Sequence, residues 1–156
     1  ILFVTLFLAS TLAVHADLID NVCKTTVKPR FCETELRSNP RSRGANLSLL
    51  GQIAIAKASV ATKSAIAAAN AAKNKKNAEI IDTCVETFGD AIDNLKECKV
   101  LIKTHGAKND LQTKASAAYT DAGTCDDEFG DSEPANLKAA SQRAQDLISV
   151  LLAVAN

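Results

Sequence analysis

Tryptophan and methionine are absent from this 156-residue chain, and its aromatic residues are one tyrosine and five phenylalanines. Binding of nucleic acid by base stacking needs several aromatic side chains along one groove, and these few are scattered. Lysine plus arginine number 18, as do aspartate plus glutamate, so the formal net charge is zero. Attraction to a phosphate backbone is therefore weak, and we expect no nucleic-acid partner.

Chemistry-bearing motifs are also scarce. The chain has two histidines, and only His105 lies beyond the apolar leader described below. It has no Cys-x-x-Cys or His-x-x-x-His spacing, no glycine-rich phosphate loop and no histidine placed for a catalytic triad. The acidic groups Asp126-Asp127-Glu128 and Asp90 with Asp93 are interpreted as solvated helix faces. We therefore expect a binding protein rather than an enzyme, with no metal and no cofactor.

Long apolar runs are confined to the N-terminus. Residues 1–14 are largely apolar, and Val14-His15-Ala16 offers a cleavage site before Asp17. The run is shorter than the ~20 residues needed to span a bilayer, so residues 1–16 are interpreted as a secretory signal peptide. We expect the natural start to lie upstream, since no initiator methionine or basic segment precedes the run. The mature chain, residues 17–156, is then expected in an oxidising compartment, without a membrane anchor.

Four segments of the mature chain repeat apolar residues at alternating spacings of three and four. This spacing places one apolar stripe on one face of a helix, as in helical bundles. The predicted helices span residues 46–73, 77–103, 109–130 and 134–155, with Gly106 as the C′ residue that closes the second. Because their connections are short, the sequence predicts an all-α antiparallel four-helix bundle over residues 46–156.

Residues 17–45 form a different piece. A short helix is predicted from Asp17 to Val27, and Pro29 opens another that ends at Asn39-Pro40. Asn46-Leu47-Ser48 follows as an N-glycosylation sequon at the predicted start of the bundle, where Asn46 equally suits an N-cap. The domain therefore consists of a helical hairpin, 17–45, and the bundle, and glycosylation of Asn46 stays open.

Five cysteines occur in the chain: Cys23, Cys32, Cys84, Cys98 and Cys125. The first two lie close together in the hairpin and are the natural first pair. Cys84 and Cys125 are equidistant from the predicted 104–105 turn, so they are level across antiparallel helices. Cys98 lies only about 10 Å from that turn and Cys125 about 30 Å, too different for a disulfide. We expect disulfides Cys23–Cys32 and Cys84–Cys125, with Cys98 as a buried free thiol.

The cysteine frame and two longer runs resemble a known family. Pro29 and Phe31 lie inside Cys23-x8-Cys32, and the runs are 84–95, Cys-Val-Glu-Thr-Phe-Gly-Asp-Ala-Ile-Asp-Asn-Leu, and 115–129, Ala-Ser-Ala-Ala-Tyr-Thr-Asp-Ala-Gly-Thr-Cys-Asp-Asp-Glu-Phe. Together they resemble the plant invertase and pectin methylesterase inhibitor family over the whole mature chain. The resemblance implies a four-helix bundle with an N-terminal hairpin, and the same two disulfides. It also implies a protein of the apoplast, cell wall or vacuole that covers the active-site cleft of one enzyme molecule, in a 1:1 complex.

The resemblance leaves the target enzyme open. Family members that inhibit invertase place a Pro-Lys-Phe motif between the second and third bundle helices, where this chain has Lys108-Asn109-Asp110. These three residues are the candidate target contacts, and the missing motif favours pectin methylesterase as the partner. Acid invertase is the alternative, with weak support from a resemblance of the segment from Glu133 to Ala140 to invertase-type tails.

Two hypotheses outside enzyme inhibition remain. A secreted structural or pollen protein would keep the fold and lack inhibition. A small-ligand carrier is disfavoured because the alanine-rich first bundle helix packs closely and leaves little cavity.

Overall fold

The computed structural model describes residues 17–156, so the predicted signal peptide, residues 1–16, lies outside the described residues. The described chain is helical and has no strand. Its α-helices are α1 (Leu18–Cys23), α2 (Pro29–Arg37), α3 (Leu47–Ala72), α4 (Ala78–Lys103), α5 (Lys108–Phe129) and α6 (Ala135–Ala155), with short 3-10 turns at Pro40–Ser42 and Gly130–Ser132. The predicted all-α bundle is confirmed, and each long helix begins and ends within one residue of its predicted limits.

The four long helices form a ring in chain order. Helix α3 packs against α4 and α6, and α5 packs against the same two helices. Each helix turns its apolar stripe inward, so that Phe88 and Leu95 of α4 and Leu137 and Leu151 of α6 are fully buried. Alanines occupy most of the inward positions of α3 and α5, and such small side chains let neighbouring helix backbones approach closely.

Helix α1 ends earlier than the sequence predicted. Asp17 caps its N-terminus by accepting a hydrogen bond at Oδ1 from the Asp20 N–H at 2.9 Å. The helix stops at Cys23 rather than Val27, because the hydroxyl of Thr26 donates to the Cys23 carbonyl at 2.8 Å and draws the backbone into a turn. Val27 is consequently left 96% exposed at the tip of the hairpin.

The α1–α2 hairpin is fastened to the bundle on the side of α3 and α6. The Cys23–Cys32 disulfide links the two helices of the hairpin to each other, with a Cα–Cα distance of 5.5 Å. Glu35 of α2 accepts from Lys57 of α3 at 3.0 Å and from Arg143 of α6 at 2.9 Å. Burial alone would raise the pKa of Glu35, but these two hydrogen bonds outweigh it and hold the pKa below its ordinary value. The carboxylate therefore stays charged and links three helices.

A second disulfide joins the N-terminal third of α4 to the C-terminal end of α5. Cys84 and Cys125 have a Cα–Cα distance of 4.7 Å, which matches the pairing expected from the sequence. Cys98 is a buried free cysteine. Burial, and then the neighbouring Glu97 carboxylate, raise the pKa of its thiol to about 11. A thiol held in this protonated state is a poor nucleophile.

The turn after α4 differs from the predicted one. Gly106 was expected at C′, the position that takes a positive φ, but His105 occupies it with φ of 51°. The Gly106 N–H bonds the Leu101 carbonyl at 2.8 Å, and the His105 N–H bonds the Ile102 carbonyl at 3.4 Å. This is a Schellman motif displaced by one residue. Glycine is needed at position 106 because the backbone there lies close to Leu101: an added Cβ would lie 2.6 Å from the Leu101 side chain.

Removal of the Cys84–Cys125 disulfide should cost the most stability of any cysteine substitution. We expect C84A/C125A to lower the free energy of unfolding by about 4 kcal/mol, and C23A/C32A by about 2.7 kcal/mol, because a longer closed loop restricts the unfolded chain more. Urea denaturation measures both values. C98A is the control and should cost about 1 kcal/mol; a double variant no less stable than C98A would contradict the expectation.

His105 carries a strained backbone, so H105G should stabilise the protein. The gain is expected at about 0.5 kcal/mol, the left-handed strain relieved less the extra chain entropy of glycine. Thermal unfolding of H105G and of the control T104G checks this. Thr104 has a φ of −94°, so T104G should destabilise. Equal effects of the two substitutions would show that positive φ at position 105 is not strained.

Candidate functional site

The outer side of the α4–α5 pair is a polar surface that the hairpin, packed on α3 and α6, leaves open. We call it the α4–α5 face, and it comprises the outward side chains of α4 and α5 together with the first turn of α5. On α4 the acidic residues recur every three or four positions and are all exposed: Asp82, Glu86, Asp90, Asp93 and Glu97. This spacing places them on one side of the helix, away from the core. The α4–α5 face is therefore predominantly acidic.

Two polar pairs cross from α4 to α5 within this face. Asn94 donates from Nδ2 to Asp121 Oδ2 at 2.9 Å, and Lys114 Nζ pairs with Glu97 Oε2 at 2.6 Å. Partial burial raises the pKa of Asp121, the Asn94 bond opposes this, and the charge of Asp90 adds to the rise. The partly buried Asn94–Asp121 bond holds its two side chains in place, so this part of the surface is ordered before any partner arrives; the more exposed Glu97–Lys114 pair adds little.

An apolar groove lies at the turn end of the α4–α5 face. It has a volume of about 430 Å³, and its lining residues are Lys96, Glu97, Val100, Leu101, Asp110, Thr113 and Lys114. Val100 is its most apolar exposed side chain and is 59% exposed. An exposed apolar spot rimmed by polar groups is typical of a protein-docking surface.

Lys108, Asn109 and Asp110 form the first turn of α5 and are all exposed. Asp110 lines the apolar groove, so the structure places the predicted contact residues at the edge of the α4–α5 face. Their contact with a target stays a prediction. Sequence reasoning missed the groove itself, because Val100 and Leu101 look like ordinary helix residues until α5 is placed beside them.

Asn46 lies exposed at the start of α3 and caps that helix. Its Oδ1 accepts from the Leu49 N–H at 2.9 Å. A glycan would attach at Nδ2, the other atom of the amide, so capping and glycosylation are compatible. Glycosylation of Asn46 stays a prediction.

Asp126, near the C-terminal end of α5, and Glu133, just after α5, contact α6 or the core rather than the α4–α5 face. Asp126 turns inward and accepts hydrogen bonds from Ser141 Oγ and from Gln145 Nε2, the latter at 2.9 Å. Glu133 lies next to it, and its Oε2 is buried without a hydrogen-bond partner. Burial, and then the charge of Asp126, raise the pKa of Glu133 from 4.5 to about 7. Together these contacts make a structural junction between α5 and α6.

Within residues 17–156 no cluster of three or more His, Cys, Asp or Glu side chains is arranged to hold a metal ion. In the same range, no helix combines the length with the apolar character that crossing a bilayer requires.

Comparison with known proteins gives consistent matches. The family model of plant invertase/pectin methylesterase inhibitors matches residues 17–154. The pectinesterase inhibitor of Actinidia deliciosa is 39% identical over 145 residues, which cover 89% of this chain and 78% of that protein. Pectinesterase inhibitor 2 of Arabidopsis thaliana is 24% identical over 97% of this chain and 91% of its own. A crystal structure of a mutant form of a pectin methylesterase inhibitor from Arabidopsis shares the fold, with a TM-score of 0.75 and 20% identity over 88% of this chain and 95% of its own.

The raised pKa of Glu133 predicts that stability falls with rising pH. Between about pH 4.5 and 7 the folded protein retains a proton that the unfolded chain has lost, so deprotonation favours unfolding. From pH 5 to 7.5 we expect a loss of about 1 kcal/mol, discounted because Glu133 is partly exposed. Thermal unfolding at both pH values measures it. E133Q should reduce the loss, and E128Q, at an exposed position, should not; equal slopes in the two variants would contradict the assignment.

Proposed function

The chain belongs to the plant invertase/pectin methylesterase inhibitor family, and from this we propose that it is a protein inhibitor of pectin methylesterase, not an enzyme. The observation that carries the proposal is the 39% identity to the Actinidia pectinesterase inhibitor over 89% of this chain. The proposal includes secretion to the apoplast, with the vacuole as the alternative location.

We propose the α4–α5 face as the surface that covers the enzyme's cleft in a 1:1 complex. Three features of the face support this choice: its polar pairs are ordered in advance, its apolar groove offers an anchor, and the Cys84–Cys125 disulfide stiffens the helices beneath it. A preformed surface loses little conformational entropy on docking. Inhibition then needs no covalent step, since the bound bundle excludes pectin from the cleft.

The charge of this face sets the chemistry of its partner surface. Its exposed carboxylates require lysine or arginine on the rim of the enzyme's cleft. Because the pKa of Asp121 is raised, the cost of burying its carboxyl falls as the pH falls. A mildly acidic compartment such as the plant cell wall would therefore favour docking.

Acid invertase is a second proposed partner, supported by the exposure of the turn between α4 and α5. Residues 104–108 are all exposed, and Leu101 and Asp110 on either side of them line the apolar groove. The substitution K108A/N109A/D110A separates the two targets. It should weaken inhibition of an invertase strongly, and inhibition of pectin methylesterase less.

Inhibition assays test the main proposal. Residual activity of a plant pectin methylesterase and an acid invertase should be titrated with the folded protein at mildly acidic pH. We expect inhibition of the esterase, and we expect D90K to weaken it about tenfold, or about 1.4 kcal/mol, because the substitution reverses a charge in the α4–α5 face.

The matched control is E33K, which makes the same charge change on α2 and should leave inhibition unchanged. Light scattering of the complex should give one inhibitor per enzyme. A folded protein that inhibits neither enzyme and forms no complex would contradict the proposal and favour a non-inhibitory secreted protein of the same fold.

A further inference from the structure

A second surface lies on the opposite side of α4, between α3 and α4. We call it the α3–α4 groove; its volume is about 460 Å³, and the Pro40–Ser42 turn borders one end. Four of the lining residues are cations: Arg41, Lys63, Lys96 and Lys99. The lining of the groove contains no acidic residue. The rest of the lining is mostly aliphatic, with the polar groups of Gln52 and Ser59 among it.

These cations are largely uncommitted. Within residues 17–156, Arg41, Lys63 and Lys99 take part in no ion pair. Lys96 pairs with Asp93 at 2.7 Å, but both side chains are about 70% exposed, at 71% and 69%. An ion pair this exposed contributes little and exchanges readily for another anion. The groove therefore offers four positive charges to a ligand.

The fold concentrates these charges although the chain as a whole is neutral. Helix α3 has no acidic residue, and its only charged residues are Lys57 and Lys63. On α4, Lys96 and Lys99 lie three residues apart and both line the groove, and Lys96 also borders the apolar groove of the α4–α5 face. The Asn39 Oδ1 accepts from the Arg41 N–H at 3.0 Å and so orders the turn that brings Arg41 to the groove.

We propose that the α3–α4 groove binds an extended polyanionic saccharide, a run of uronate units with free carboxylates. The groove runs along α3 from Gln52 to Lys63, about 16 Å at the helical rise per residue, which suits a chain of several sugars rather than one small anion. Lysine and arginine bind carboxylates by charge-assisted hydrogen bonds. The aliphatic lining faces the C–H groups of the sugar rings, and Gln52 and Ser59 can bond their hydroxyls.

The identity of the polymer rests on the proposed function. A pectin methylesterase converts methyl esters of polygalacturonate into free carboxylates, so its product is the polymer whose charge the groove fits. The apolar groove of the α4–α5 face and the α3–α4 groove flank α4 and share only Lys96 among their lining residues. The protein can therefore hold the product polymer and the enzyme at the same time, which places the inhibitor where de-esterification has already occurred.

A binding experiment tests the groove. The probes are a de-esterified galacturonate oligomer and the fully methyl-esterified oligomer of the same length, titrated calorimetrically at pH 6 and low salt. The wild type should bind the first and not the second, and added salt should weaken binding. R41Q/K63Q/K99Q should lose at least about tenfold in affinity, while R30Q/K75Q/K76Q, with the same change in net charge elsewhere, should stay within about twofold. Lys96 is kept in both variants because it also lines the apolar groove of the α4–α5 face. Circular dichroism verifies that both variants fold.

Three outcomes would overturn the proposal. In the first, the wild type does not bind the de-esterified oligomer. In the second, both triple variants lose affinity equally, which would indicate diffuse attraction. In the third, the groove variant loses inhibition of pectin methylesterase while the control variant keeps it, which would make the groove part of the enzyme-binding surface. Should the wild type bind the oligomer and inhibit no esterase, the proposed function fails and the groove site stands.

Discussion

A covalent bond between α4 and α5 determines the height at which these two helices meet. The Cys84–Cys125 disulfide lies far from the turn that joins them, so it fixes their register at the end where fraying would otherwise separate them. Every cross-helix pair of the α4–α5 face depends on that register. The Asn94–Asp121 and Glu97–Lys114 contacts form because the residues lie level, as do the two cysteines. An inhibitor that works by shape needs such a surface before it meets its target.

The distribution of charge follows from the same arrangement. The formal net charge is zero, yet α4 separates an acidic face on one side from a basic groove on the other. Charges of one sign recur on one side of a helix because their spacing of three and four matches the helical period. Opposite surfaces of one helix can thus serve an enzyme and a polyanion without competing. The ion pairs of the partly buried Glu35 keep the hairpin on α3 and α6, away from the α4–α5 face.

Departures from the predicted structure occur where a local side chain competes with the helix pattern. Helix α1 stops at Cys23 because the hydroxyls of Thr25 and Thr26 donate hydrogen bonds to the last carbonyls of the helix. The spacing of apolar residues in the sequence carries no information about such bonds. At the end of α4, glycine is the usual residue for a positive φ, but the Schellman bonds place His105 there and Gly106 one position later. Both elements were predicted correctly, but the last residue of α1 and the residue of positive φ after α4 were not.

The sequence by itself determined the four long helices, their order and the level at which Cys84 and Cys125 lie. These properties depend on periods of three and four and on distance along the chain, which are linear quantities. Only the tertiary structure decided that Glu35 links α2 to α3 and α6. It also decided that one carboxylate oxygen of Glu133 is buried beside Asp126. The same holds for the α3–α4 groove, where packing brings Arg41 and Lys63 together with Lys96 and Lys99. Those residues lie up to about a hundred positions apart, and burial and proximity between distant segments arise only when the helices pack.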